Sequence, residues 1–112
     1  VSLFATWCGP CQIELAEVQK TLWPKYKDNK DFKLLVIGRE HTDAELKKYN
    51  ERKKFGFPLY PDPKREVSSL FADQTIPRAY LFGKDGKLIH ASIGYTKSEF
   101  QELMADIEAA LK

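Results

Sequence analysis

The chain has little of what metal centres and disulfide frameworks are built from. Of its 112 residues, two are cysteine, two are histidine and one is methionine. The cysteines, Cys8 and Cys11, stand three positions apart, while His41 and His90 lie far from them and from each other. A structural zinc site needs four ligands, usually a second CxxC or a close histidine pair, and neither follows, so no metal site is expected. Haem attachment needs a histidine straight after the second cysteine, where Gln12 stands. There is no apolar run near the ~20 residues of a membrane span, and no signal peptide, repeat, low-complexity segment or linker. Net charge is only +2, from 18 basic and 16 acidic residues. That balance implies neither nucleic acid nor an anionic membrane as a partner.

What is present is ordinary for a soluble globule: 43% hydrophobic and 30% charged residues. A chain of 112 residues makes one domain, 1–112, able to pack a core without disulfide staples. It opens at Val1, inside a strand and without an initiator methionine, and reads as a domain cut from a longer precursor. Cysteine count does not fix the compartment.

Both cysteines lie in Trp7-Cys8-Gly9-Pro10-Cys11. A disulfide across this spacing closes almost no loop and so has little worth as a staple. The five residues before the motif, Ser2 to Thr6, read as a buried strand, and those after it read as a helix. A CxxC at a strand-to-helix junction points to thiol–disulfide exchange. A PxxxTxxC peroxidatic pattern fails, since Ala5 and Val1 occupy its Thr and Pro places. A copper-chaperone pattern needs three residues between its cysteines, and here there are two.

The helix from Cys8 tolerates Pro10 in its first turn, takes Ile13, Ala16, Leu22 and Trp23 as its apolar face, and is broken or kinked by Pro24. Lys25 to Lys33 reads as a solvated helix end or loop. Leu34-Leu35-Val36-Ile37 reads as a central parallel strand within 32–38. Thr42 and Glu45 form a capping box for a helix over Asp43 to Lys54, whose Lys47, Lys48, Arg52, Lys53 and Lys54 read as a solvated face rather than a docking patch. Phe57 to Pro61 reads as an extended segment held to a sheet edge by its prolines. Arg65 to Ala72 reads as a short helix burying Val67, Leu70 and Phe71. Thr75-Ile76-Pro77 leads into a strand over Arg78 to Phe82, an Asp85-Gly86 hairpin and a returning strand over Leu88 to Ile93. Thr96 and Glu99 form a second box, opening a helix with Phe100, Leu103, Met104, Ile107 and Leu111 on one face. This order predicts an α/β fold: a mixed sheet, parallel at its core with an antiparallel edge, and helices on both faces.

Phe4-Ala5-Thr6-Trp7-Cys8-Gly9-Pro10-Cys11, Ile76-Pro77 before a hairpin and Gly94 before the last helix together resemble the thioredoxin superfamily. Glu14, three residues after the second cysteine, makes the chain look most like the TlpA/ResA-like branch of bacterial extracytoplasmic oxidoreductases. So does the Cys8-to-Pro77 separation of 69 residues, longer than a plain thioredoxin's by one strand-and-helix unit. The helix after Thr42 and the Phe57 to Pro61 segment would be that insertion. The first strand and helix expected ahead of the motif are absent from this fragment.

The resemblance implies a thiol–disulfide oxidoreductase with Cys8 attacking and Cys11 resolving. It needs no cofactor beyond the Cys8–Cys11 disulfide. Trp7, Gly9 and Pro10 would form an apolar landing surface. Ile76-Pro77 would be a cis peptide facing the dithiol, with the Ile76 backbone pairing to an extended substrate. Partners would be protein thiols or disulfides and an upstream thiol electron donor, with the membrane reached only through an anchor outside the fragment. Gly9-Pro10 adds no cation or histidine to stabilise a Cys8 thiolate, which favours a reductant or mid-potential exchanger over a strong oxidant. Ser2 stands where many thioredoxins keep a buried acid, and Ala16 where they keep a helix-kinking proline. Glu14 reads equally as a proton relay to Cys11 or as an exposed helix residue. Trp23, Tyr49, Tyr80 and Tyr95 read as core or rim, and His41 as a loop residue near the ligand-binding end of the sheet. The competing class is a non-enzymatic interaction or metal-delivery domain on the same fold.

Overall fold

A computed structural model describes residues 1–71 and 76–111. Among these, the strands β1 (Ser2–Phe4), β2 (Val36–Arg39), β3 (Leu59–Asp62), β4 (Arg78–Phe82) and β5 (Leu88–Ile93) form one sheet, ordered β3-β2-β1-β4-β5. β1 pairs parallel to β2 (Leu3 opposite Ile37) and antiparallel to β4 (Leu3 opposite Arg78). β3 runs parallel to β2, and β5 returns antiparallel along β4. This is the predicted mixed α/β sheet. Successive side chains of a strand point to opposite faces, yet Ser2, Leu3 and Phe4 are all buried, so both faces of β1 are covered.

Helix α1 (Gly9–Glu17) begins where predicted, with Pro10 in its first turn, but it buries a different stripe. Cys11, Glu14, Leu15, Val18 and Leu22 point inward, while Ile13 and Ala16 face solvent. The inward side is set by Cys11, which enters the core at the first turn and carries its i+3, i+4 and i+7 neighbours with it. Pro24 does not break the helix. The chain widens into a π turn over Val18–Leu22 and continues as α2 (Trp23–Tyr26). Pro24 has no N–H to offer the Lys20 carbonyl, and the wider turn redirects the ladder, with the Trp23 N–H reaching the Val18 carbonyl.

Strand β2 starts at Val36, later than the apolar run suggests, and leaves Leu35 largely exposed. Helix α3 (Asp43–Lys53) carries the complete predicted capping box: the Thr42 hydroxyl accepts the Glu45 N–H, and the Glu45 carboxylate accepts the Thr42 N–H. Its basic cluster is exposed, with Lys47 paired to Asp43. β3 is the edge strand anticipated from its prolines. Helix α4 (Ser68–Phe71) is shorter than predicted and does not bury Val67 or Leu70, the latter 79% exposed. Its buried anchor is Ser68, whose N–H and hydroxyl both donate to the Asp62 carboxylate at the end of β3 (2.7 and 2.5 Å). That carboxylate also accepts the Val67 N–H, so three hydrogen bonds, rather than apolar burial, seat the turn. The Phe71 side chain, Ala72 and Thr75 lie outside the described residues.

The β4–β5 hairpin turns through Gly86 at φ +82°, a conformation that costs a glycine nothing. Helix α5 (Lys97–Ala110) starts with the Thr96 hydroxyl accepting the Glu99 N–H (3.1 Å). It buries Phe100 and Ile107, with Leu103, Met104 and Leu111 packed alongside. His90 on β5 is tied to Asp106 on α5 at 2.9 Å.

Candidate active site

The C-terminal ends of the parallel strands β1, β2 and β3 open on one side of the sheet, the end at which open α/β sheets place their ligands. Strand β1 runs directly into Trp7 and Cys8. β4 runs antiparallel to β1, so its first residue arrives at the same end. The Leu3–Arg78 register, carried one residue further, brings Pro77 level with Phe4. The Ile76-Pro77 peptide is cis, as the resemblance implied, and the Pro77 side chain is fully buried. Ile76 packs against the core cluster that contains Cys8 and Cys11.

Cys8 is the N-cap of α1, with extended backbone (φ −86°, ψ 116°), and its sulfur accepts the Cys11 N–H at 3.3 Å. Cys8 and Cys11 are joined as a disulfide with Cα atoms 5.3 Å apart, and both are buried. Helix N-termini carry unpaired N–H groups and a partial positive charge, so a thiolate at Cys8 after reduction is favoured there. Gly9 and Pro10 are exposed at the turn between the sulfurs. Trp7 is 70% exposed, and the Arg39 guanidinium lies 5.6 Å over its ring. The outer surface beside the disulfide is therefore an indole with a cation stacked on it.

Glu14 is not an exposed helix residue. It is 5% exposed, one turn below Cys11 on the inward side of α1, and its carboxylate accepts the Ser2 hydroxyl at 3.2 Å. Burial pushes its pKa up to about 7, against the Ser2 hydrogen bond that draws it down, with the nearby Glu99 charge adding to the rise. The acid absent at position 2 is thus supplied from the helix: α1 presents Glu14 to the β1 site where Ser2 stands. Its spacing from Cys11 is legible in the chain; its burial is not, because that depends on which side of α1 meets β1.

His41 lies in the loop between β2 and α3, as expected, and is buried there (6% exposed) against the motif, where its Nε2 accepts the Thr6 N–H at 2.9 Å. Tyr49 is core, as expected, but its hydroxyl also donates to the Gln12 side chain. Trp23, Tyr80 and Tyr95 are half-buried, in keeping with core or rim.

The AhpC/TSA family matches residues 1–91 of the chain. A curated relative, the thiol-disulfide oxidoreductase ResA of Bacillus thuringiensis subsp. konkukian, is 29% identical over 108 residues, covering 96% of this chain and 61% of its own length. The chain thus spans about three fifths of the length of the curated relatives it matches. A solution structure from Bacteroides thetaiotaomicron, provisionally named a protein disulfide isomerase, superimposes with a TM-score of 0.92 at 30% identity, covering 98% of this chain and 70% of that one. The crystal structure of StoA from Bacillus subtilis shares the fold at a TM-score of 0.74 and 21% identity, covering 93% of this chain and 78% of that one.

Proposed function

The chain belongs to the AhpC/TSA family, and on that premise we propose that it is a thiol–disulfide oxidoreductase of the TlpA/ResA-like kind, exchanging its Cys8–Cys11 pair with protein substrates. The observation that carries this reading is the buried disulfide at the N-terminus of α1, with the Cys8 sulfur taking the place of an N-cap oxygen. In the reduced protein the Cys8 thiolate attacks one sulfur of a substrate disulfide. A Cys8–substrate bond forms, the substrate S–S bond breaks, and the leaving sulfur takes a proton. Cys11, deprotonated, then attacks the Cys8 sulfur. The mixed disulfide breaks, the second substrate thiol leaves, and the protein holds the Cys8–Cys11 disulfide. Two electrons have passed to the substrate, and an upstream thiol donor restores the dithiol by the reverse exchange. The disulfide is itself the redox group, so the reading needs no bound cofactor.

Glu14, whose pKa is held at about 7 by burial, is suited to take the Cys11 proton near neutral pH. Trp7, Gly9 and Pro10 supply the landing surface, with Ile76 and Pro77 as its opposite wall. The Ile76 backbone would pair with an extended substrate strand. The uncharged Gly9-Pro10 turn supports a reducing or mid-potential direction. A bacterial extracytoplasmic setting follows from the branch the chain resembles; among the described residues no helix is long and apolar enough to cross a membrane.

Insulin reduction with a thiol donor tests the activity. Catalytic precipitation of insulin chains, lost in Cys8→Ser, supports an exchange enzyme. No acceleration over the donor alone would sink it in favour of a non-enzymatic interaction domain.

A further inference from the structure

An N-cap residue lies outside the helix it caps, so α1 alone does not fix the Cys8 backbone. Something else must hold the stretch from Ala5 to Cys8. The Thr6 N–H is taken by His41 Nε2 at 2.9 Å. The carbonyls of Ala5, Thr6 and Cys8 all accept from the Gln12 side-chain amide, at 3.3, 3.2 and 3.1 Å. The Gln12 amide is oriented by the Tyr49 hydroxyl, which donates to its oxygen. Phe4 packs against both the His41 and Tyr49 rings. His41 leads into α3 and Tyr49 lies on it, so both supports come from the stretch between β2 and β3.

An accepting Nε2 places the His41 ring proton on Nδ1. The Glu45 carboxylate stands 3.5 Å from that nitrogen, and its other oxygen is held by the Thr42 N–H and hydroxyl (3.0 and 3.1 Å). A carboxylate facing Nδ1 favours the tautomer the Thr6 bond needs.

We propose that His41 and Tyr49 are positioning residues for the Cys8 thiol, acting through the Thr6 N–H and through Gln12, so that α3 and its N-terminal junction set the reactivity of the dithiol. The proposal rests on the exchange reading above for its biological meaning, but its chemistry needs only a reduced Cys8. Losing the His41 acceptor leaves the Thr6 N–H unpaired beside a buried ring, and the loop relaxes away from the geometry that presents the Cys8 sulfur to the α1 N-terminus.

The test is the rate of Cys8 alkylation by iodoacetamide in the reduced full chain, followed against pH by mass spectrometry. The proteins compared are wild type, His41→Phe, His41→Gln and Tyr49→Phe. His41→Phe keeps a ring against Phe4 but has no acceptor. It should slow alkylation at pH 7 about three- to tenfold and move the midpoint upward, a tenfold loss corresponding to about one pH unit. His41→Gln restores a side-chain carbonyl and should stay within about twofold of wild type, because the thiolate fraction is then preserved. Tyr49→Phe, which keeps the ring contacts and removes only the hydroxyl, should change the rate in the same direction by less. Equal slowing by Phe and Gln at position 41 would mark a packing role and overturn the proposal. So would rates for His41→Phe or Tyr49→Phe that match wild type. If His41→Phe does not fold, the His41→Gln and Tyr49→Phe results decide. Should wild type fail to reduce insulin while the alkylation contrast holds, the exchange reading falls and the positioning role stands. Should wild type reduce insulin with no alkylation contrast among the variants, the positioning role falls and the exchange reading stands.

Discussion

Ser2 on β1 and Glu14 on α1 meet in the core, hydroxyl to carboxylate at 3.2 Å. A carboxylate so buried keeps its proton to a higher pH than it would in the unfolded chain, and that has a measurable consequence for stability. The pKa rises from 4.5 to about 7 on folding, so between those values the native state holds a proton that the unfolded state has lost. The Glu14 contribution to stability therefore falls as pH rises through that window and levels off above it.

Glu14→Gln removes the titration while leaving an oxygen for the Ser2 hydroxyl. Urea unfolding of the oxidised protein at pH 5 and pH 8 isolates this contribution as the difference between variant and wild type, because the Val1 amino group, lowered to about 6 by burial, shifts stability in the opposite sense over the same range in both proteins. The gap should open as pH rises and leave the variant more stable than wild type at pH 8 by on the order of 1–3 kcal/mol. The ceiling is about 1.4 kcal/mol for each pH unit that separates the folded and unfolded pKa values. Parallel pH profiles for the two proteins would mean that Glu14 ionises freely.

The division of labour between the sulfurs is open to trapping. Cys11→Ser, with no resolving thiol, should accumulate mixed disulfides with substrate proteins visible on non-reducing gels, whereas Cys8→Ser should trap far fewer. Equal trapping, or more by Cys8→Ser, reverses the roles.

Cys8 acidity follows from its place at the α1 N-terminus. In the reduced protein its alkylation rate should rise with a midpoint clearly below the ~8.5 of a free thiol. A midpoint at or above that value would remove the case for an activated nucleophile.

The Asp62–Ser68 contact predicts a second pH effect, of opposite sign. Burial pulls the Asp62 pKa up, but hydrogen bonds from the Ser68 hydroxyl and from backbone N–H groups outweigh it and hold the carboxylate below its usual 3.8. Its contribution is complete above that pH and is lost as pH falls through the lower folded value. Asp62→Ala should cost about 1–3 kcal/mol at pH 7, the range for leaving buried donors unpaired, and the gap to wild type should narrow in strong acid. A variant as stable as wild type at pH 7 would show that α4 is seated by other contacts.

What the chain discloses in advance is whatever local chemistry writes into adjacent residues. The Thr42–Glu45 box, the Asp85-Gly86 turn, the proline-limited edge strand and the α5 stripe each need only a few neighbours to be recognised, and each forms at its place. The spacing of Cys8 and Cys11 is equally local. Tertiary partners are not legible. Ile13 and Ala16 fit an apolar face by type, but the side of α1 that turns inward is chosen by Cys11, and it takes the charged Glu14 with it. Val67 and Leu70 are expected inside, yet a strand-end carboxylate 6 residues before Ser68 pulls the small polar residue in instead. His41 gives one signal, its place just after β2 at the ligand end of the sheet. Its partner, the Thr6 N–H, lies on a different strand's exit and leaves no trace in the sequence around it.

The position of β1 in the sheet order carries a further consequence. As the third of five strands it has a hydrogen-bonded neighbour on each side, and both its faces are covered. Amides in such a strand exchange with solvent only when the whole domain opens, whereas edge strands and loops exchange through local fluctuations. Cys8 is thus reached by a tether of three residues, Ala5 to Trp7, from the slowest-exchanging part of the molecule. Deuterium uptake in Leu3 and Phe4 should report global unfolding alone, in either redox state, while the turn that carries the disulfide exchanges on its own clock.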